Sequence, residues 1–212
     1  MKLRVLVICE DAWHPAETIR RGLSPLEKQG FDFEFLEGGA KLSAEVLRKF
    51  SVAVLAKANM ISATDNRQWL TLNSKATVQD YLRCGGGLLI IHGGTCRYGE
   101  LPVMRRAMGG AFLSHPPECA VTLEPKTSHA LVRGVETFTV CDEHYMMTFE
   151  GSEDGVFLHS RSEHGVQPAG WTRTEGNGRV CVLTPGHNLE VWLQPSFQKL
   201  LSNALCWTAK IN

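Results

Sequence analysis

His92 closes the run Gly85-Gly86-Gly87-Leu88-Leu89-Ile90-Ile91 and opens a glycine-rich loop, Gly93-Gly94-Thr95-Cys96. His14 follows an apolar stretch ending at Cys9. His144 stands in Asp142-Glu143-His144-Tyr145, and His187 in Pro185-Gly186-His187-Asn188-Leu189-Glu190. Each lies just past a predicted strand or beside glycine or proline. Imidazole titrates near neutrality and ligates metals. If the strands run parallel, all four loops open on one edge, where imidazoles meeting Asp142 and Glu143 would support general acid–base catalysis or a metal site. A single loop histidine is more often a surface or capping residue, the reading kept for His129, His159 and His164. His115, before Pro116-Pro117, either buttresses a rigid turn or joins the site.

Cys96 offers a second chemistry. A cysteine shortly after a buried strand could be a nucleophile activated by His187, with Glu190 orienting that ring. Against this, a nucleophile elbow holds its residue at the turn itself, and the residue there is His92. The glycines do not form a phosphate loop. Gly93-Gly94-Thr95 lacks the lysine and hydroxyl pair, and Gly85-Gly86-Gly87 precedes its strand, so no nucleotide cofactor is expected. For a divalent metal the candidates are His92 and His187, although no H-x-x-x-H pair supports them.

These loops need strands to carry them. Leu3–Cys9, Ser51–Ala56 and the apolar run ending at His92 read as strands covered on both faces, and Phe31–Leu36 alternates as an edge strand does. Helices are predicted over Ala16–Gln29, capped by Gly30, over Ser43–Lys49 from a serine cap, and over Asp65–Arg83. Strands alternating with helices imply parallel pairing through right-handed crossovers. Beyond Leu101–Met108, a short helix closed by Gly109-Gly110, the pattern changes. Strands are predicted at Cys119–Glu124, Val135–Val140, Gly155–Arg161, Gln167–Arg173 and Arg179–Thr184, several of them antiparallel. A closing helix over Gln194–Lys210 would pack Phe197, Leu200, Leu201, Leu205 and Trp207 on the sheet. The expected fold is α/β, a doubly wound and mostly parallel sheet with extra antiparallel strands in the C-terminal half.

Composition narrows the function. With 22 basic and 22 acidic residues in 212, net charge is zero, which argues against nucleic acid or an anionic membrane surface as partner. No apolar run approaches the roughly 20 residues that span a bilayer, and the start does not read as a signal peptide. Seven scattered cysteines without a C-x-x-C pair fit a cytoplasmic protein. Residues 1–212 read as one domain, and a homo-oligomer stays open.

Taken in order, several segments resemble the ThuA-like, or trehalose utilisation, family of the class I glutamine amidotransferase-like superfamily. The first carriers are Tyr81-Leu82-Arg83-Cys84-Gly85-Gly86-Gly87 before the strand ending in His92, Gly109-Gly110-Ala111-Phe112 with His115-Pro116, and Ser128-His129-Ala130-Leu131-Val132-Arg133-Gly134. Asp142-Glu143-His144-Tyr145, Trp171 with Gly176-Asn177-Gly178-Arg179-Val180, and Gly186-His187 before Trp192 and Trp207 complete the set.

The resemblance implies a flavodoxin-like three-layer α/β/α sandwich and a link to trehalose, related disaccharides and 3-keto sugars. In the amidotransferases the elbow carries a cysteine. His92 stands there in this chain, so glutamine hydrolysis by that route is not expected. His187 and Glu190 resemble the remaining histidine and glutamate in position, at a different spacing. The expected activity is that of a sugar-processing hydrolase, lyase or isomerase on a small-molecule carbohydrate. His92 and His187 would sit at the reacting centre, one as base and one as electrophile or ligand, with Asp142 or Glu143 as second carboxylate or orienter. Trp13, His14, His115, His144, Tyr145 and Glu190 would line the pocket. The alternatives are a non-catalytic sugar- or partner-binding module and a hydrolase using Cys96.

Overall fold

The computed structural model describes residues 2–38, 42–71, 75–126 and 128–211. Its centre is a nine-stranded sheet that starts as a parallel array. Strands β1 (Leu3–Cys9), β2 (Phe31–Glu37), β3 (Val52–Leu55), β4 (Gly87–Ile91) and β11 (Gly178–Leu183) lie in the order β2-β1-β3-β4-β11 and pair in parallel. This is the flavodoxin-like order, which places ligands beyond the carboxyl ends of the strands.

Alternation along each central strand sends side chains to opposite faces. Leu89 and Ile91 join one core with α1 (Ala16–Leu23), α5 (Leu189–Leu193) and α6 (Pro195–Thr208). Leu88 and Ile90 join the other core with α2 (Ala44–Leu47), α3 (Lys75–Arg83) and α4 (Pro102–Met108). The three layers follow directly from those two apolar faces. Burying each such Leu or Ile side chain contributes about 1.5–3 kcal/mol.

The remaining strands extend the sheet antiparallel. They are β6 (Cys119–Pro125), β7 (Phe138–Asp142), β9 (Val156–Ser162) and β10 (Gly165–Glu175), in the order β11-β10-β9-β6-β7. Four successive reversals return β7 to the direction of β1, so Asp142 finishes at the same rim as His92. A separate hairpin pairs β5 (Gly110–Ser114) with β8 (Met146–Phe149) and carries Phe112 and His115 toward that rim. Among the described residues no helix is long and apolar enough to cross a membrane.

Several expected elements are corrected. The helix predicted over Ala16–Gln29 ends at Leu23 and continues as a 3-10 turn over Ser24–Gln29, because Pro25 has no N–H to continue the α ladder. The helix predicted from Asp65 begins at Lys75. Asp65 instead accepts the backbone N–H of Arg67, and the Leu70 N–H goes to Asn59 Oδ1, so both amides are taken before a helix can use them. Residues 72–74 of that prediction lie outside the described residues. The strand expected at Val135–Val140 runs Phe138–Asp142. The hairpin strands β5 and β8 and the short helix α5 went unpredicted, each being only four or five residues long.

Ile90, fully buried in the centre of β4, tests the second core. Ile90→Ala should lower the unfolding free energy in urea by about 2–5 kcal/mol. Leu113→Ala, at a residue 61% exposed on β5, should stay within about 0.5 kcal/mol of the parent.

Candidate active site

Three parallel strands of the central sheet, β1, β4 and β11, deliver three histidines to one rim. After β1 the chain turns at Glu10, whose φ is 76°, and the buried Asp11 carboxylate folds back over the loop. Its Oδ1 accepts the N–H groups of Trp13 at 2.8 Å and His14 at 3.1 Å, and its Oδ2 accepts the Ala58 N–H at 2.6 Å. His14 Nδ1 lies 2.8 Å from the same carboxylate. Burial alone would raise the Asp11 pKa, but the His14 contact and the backbone donors outweigh it and hold the carboxyl below its ordinary range. An ionised Asp11 accepts the hydrogen bond from His14 Nδ1–H, which leaves Nε2 as the ring nitrogen free to face the pocket.

His92 sits at the elbow after β4 with φ 45°, a left-handed conformation that is costly outside glycine. Close packing enforces it. A Cβ on Gly94 would stand 2.1 Å from the Leu55 carbonyl oxygen, and one on Gly93 would stand 2.5 Å from the His14 ring. His92 Nδ1–H donates to the Thr184 carbonyl at 2.8 Å, which fixes the tautomer and turns Nε2 into the pocket. Burial pushes the imidazole down to about 4, so it is an uncharged ring at neutral pH.

His187 follows β11. Asp142 holds its loop by accepting the N–H of Gly186 at 2.9 Å and of His187 at 3.0 Å, while the Trp192 indole N–H donates to the Gly186 carbonyl at 2.8 Å. Burial pushes the Asp142 carboxyl up to about 6 despite those two donors, and burial also lowers the His187 pKa.

Glu143 is the carboxylate that all of this faces. Its Oε2 lies 3.3 Å from both His92 Nε2 and His187 Nδ1, and its Oε1 lies 3.4 Å from His115 Nε2. Burial would raise its pKa, but the surrounding imidazoles, His92 first, outweigh that and lower it. His92 Nε2 and His187 Nδ1 are nevertheless buried without a hydrogen-bond partner, since proximity alone does not align a donor. One donor atom from each of His14, His92, Glu143 and His187 lies within 4.8 Å of all the others, a set of three nitrogens and one oxygen that first-row divalent ions accept.

Above this floor opens a cavity of about 440 Å³, within the range of small-molecule sites. Tyr145 stacks on His92 with ring centroids 4.1 Å apart, and Phe112 packs on Tyr145. Trp13, 54% exposed, and Arg97 stand at the mouth. A second cavity, about 470 Å³, has Lys2, Arg4, Gln29, Lys49 and Ser51 as its polar lining and no histidine. The imidazole–carboxylate cluster lies under the first.

The structure brings together His14, His92, His115, Glu143, Tyr145, His187 and Trp13, gives Asp142 an orienting place, and corrects three expectations. His144 does not reach the pocket. Its ring is buried between Ser160, 3.0 Å from Nε2, and Ser162, 2.7 Å from Nδ1, because consecutive residues diverge where the chain leaves β7. Glu190 is exposed in the first turn of α5, and Glu118 is the carboxylate beside His187, 3.9 Å from Nε2. Asp142 positions the 186–187 loop through backbone bonds. Cys96 is buried and its thiol donates to the Tyr145 hydroxyl, 3.4 Å away; burial raises it to about 12, too high for a nucleophile. Residues missed were Asp11, Arg97, Phe112 and Glu118. Only Asp11, three before His14 at a strand end, carried a local signal.

A family model described as trehalose utilisation matches residues 4–208. Among solved structures, a ThuA-like protein of Parabacteroides merdae superposes with a TM-score of 0.77 at 17% identity, covering 99% of this chain and 90% of that one. A ThuA-like protein of Bacteroides uniformis gives 0.72 at 18% identity, covering 97% and 91%. A β-galactosidase from Rahnella sp. R3 also gives 0.72, at 12% identity, with all of this chain matching 32% of that enzyme. These likenesses concern the fold. No curated protein matches the sequence.

Two measurements check the electrostatics. In native protein at pH 8, a thiol reagent should modify the exposed Cys84 and Cys141 and leave Cys96 untouched until the protein unfolds. The His92 pKa is lowered on folding, so the unfolded chain binds the extra proton, and the stability present above about pH 6.5 is lost as pH falls toward 4. In chelator-treated samples, the stability gap between the parent and His92→Gln should therefore narrow over that window, by on the order of 3 kcal/mol.

Proposed function

The chain belongs to the ThuA family, described as trehalose utilisation, and from that premise we propose that it is an enzyme acting on a disaccharide or a 3-keto glycoside by proton transfer in the pocket over Glu143. The observation that carries this reading is Glu143 itself. It is a carboxylate that its imidazole neighbours hold below the ordinary range, at the foot of an aromatic-walled cavity. Family membership supports the carbohydrate class, and the geometry supports the kind of step.

A ketone at C3 of a sugar ring acidifies the neighbouring C–H, and a base in reach can take that proton to give an enediolate. His115 suits the role. Its Nδ1–H is bonded to the Pro116 carbonyl at 2.9 Å, which leaves Nε2 as a lone pair. That nitrogen is partly exposed and 3.4 Å from Glu143 Oε1. A proton accepted there forms an imidazolium that Glu143 stabilises in place. Trp13 offers a flat indole face to a sugar ring and Arg97 offers donors to its hydroxyls.

Incubation with 3-keto glycosides and their parent disaccharides in deuterated water should put deuterium at the carbon beside the ketone of the keto sugars only, read by mass spectrometry. Glu143→Gln should slow that exchange by about 100-fold or more, and His115→Gln by about 10²–10⁴. A sugar that raises the melting temperature but returns unchanged would make the pocket a binding site and end the enzymatic reading.

A further inference from the structure

The pocket floor is assembled almost wholly from acceptors. His14 Nδ1–H is spent on Asp11, His92 Nδ1–H on the Thr184 carbonyl and His115 Nδ1–H on the Pro116 carbonyl. The remaining Nε2 lone pairs of His92 and His115 therefore face a carboxylate, 3.3 and 3.4 Å away. His187 Nδ1 adds a further buried, unpartnered nitrogen at 3.3 Å from the same carboxylate. Lone pairs gathered around an anion repel unless a cation lies among them.

We propose that His14, His92, His187 and Glu143 bind one divalent first-row transition-metal ion, through Nε2, Nε2, Nδ1 and a carboxylate oxygen respectively. Imidazole donors select zinc and its neighbours over magnesium or calcium, which take oxygen ligands. Bonds of about 2.0–2.1 Å place ligand atoms roughly 3.4–4.2 Å apart, so the present spread of up to 4.8 Å needs only a small inward closure. An outer shell is already built. Metal-bound histidines usually give their second N–H to a carboxylate or a backbone carbonyl, which fixes the ring. Asp11 does this for His14, the Thr184 carbonyl for His92, and Glu118, 3.9 Å from Nε2, stands behind His187. His14, Glu143 and His187 all line the cavity, so the ion's open position faces it.

The ion's part in chemistry rests on the substrate reading above: it supplies the positive charge that a developing enediolate oxygen needs and that the lone pairs cannot give. Binding itself is measured without any sugar. Full-length protein stripped with a chelator is titrated separately with Zn²⁺, Mn²⁺, Co²⁺ and Ni²⁺. The expected result is one equivalent of at least one ion per chain by elemental analysis, with a melting temperature that rises with ion concentration.

His187→Gln and Glu143→Gln should each weaken binding by about 100-fold or more, and Asp11→Asn by about 10–100-fold. His144→Gln, outside the pocket, should leave binding unchanged. If either ligand variant fails to fold, His14→Gln carries the same expectation. Absence of stoichiometric binding by the parent, or binding retained by the folded ligand variants, overturns the assignment. An ion bound here by protein that leaves every keto glycoside unchanged upholds the metal site and sinks only the substrate reading. Full exchange by metal-free protein overturns the ion's part in the reaction.

Discussion

The hydrogen bond from His92 Nδ1 to the Thr184 carbonyl organises the site. It joins the ends of the adjacent parallel strands β4 and β11 and selects one imidazole tautomer. It also fixes the direction in which the remaining lone pair points. Thr184 is itself held, since its N–H donates to the Ala169 carbonyl at 2.9 Å. The orientation of the His92 ring is thereby tied to the hydrogen bonding of the central sheet. A ring set on a loop alone would lack that rigidity.

Strain is concentrated around the same rim. Glu10, His92 and Arg97 all adopt positive φ without being glycine, and each lies in a loop that contributes to the pocket or its immediate support. Such conformations cost on the order of 1–3 kcal/mol each and persist only where the surroundings dictate them. The surroundings here are identifiable. Asp11 collects four donors beside Glu10, Gly93 and Gly94 allow the elbow to press on His14 and Leu55, and the Arg97 carbonyl accepts from Asn59 Nδ2 at 3.3 Å. Buried apolar strands supply the stability that this geometry draws down.

Local pattern revealed the parallel half of the fold because two-faced burial writes itself as apolar runs, as in Val5-Leu6-Val7-Ile8 and Leu88-Leu89-Ile90-Ile91. It also revealed His14, His92 and His187, because a histidine just past such a run occupies the ligand-binding rim whatever its partners are. It could not separate Glu143 from Asp142 or His144. Those three neighbours point to an imidazole cluster, a backbone clamp and a serine pair respectively, and that divergence is set by partners distant in sequence, His92, His115 and His187 for Glu143, Gly186 and His187 for Asp142, Ser160 and Ser162 for His144. Glu118 was out of reach for the same reason: it meets His187 only because the antiparallel strands bring β6 and β7 round to the rim. Glu190, three residues from His187 in sequence, was favoured by proximity along the chain, and the turn into α5 carries it to solvent.

The placement of Cys96 and His92 sets this elbow against thiol chemistry. A cysteine nucleophile needs a base at its sulfur and a setting that favours the thiolate. Cys96 has neither, being buried against the Tyr145 hydroxyl, which lets its thiol donate and does not draw its proton away. The elbow position holds an imidazole whose proton is pinned to a backbone carbonyl, so that residue can only accept. Around it, His14, His187 and Glu143 also present acceptors. A centre composed this way attracts positive charge: it can take a proton or hold a cation, and it cannot itself stabilise an anion that forms above it. Any chemistry in this pocket that builds negative charge on a substrate oxygen must therefore bring a cation with it, or use the donors of Arg97 at the mouth.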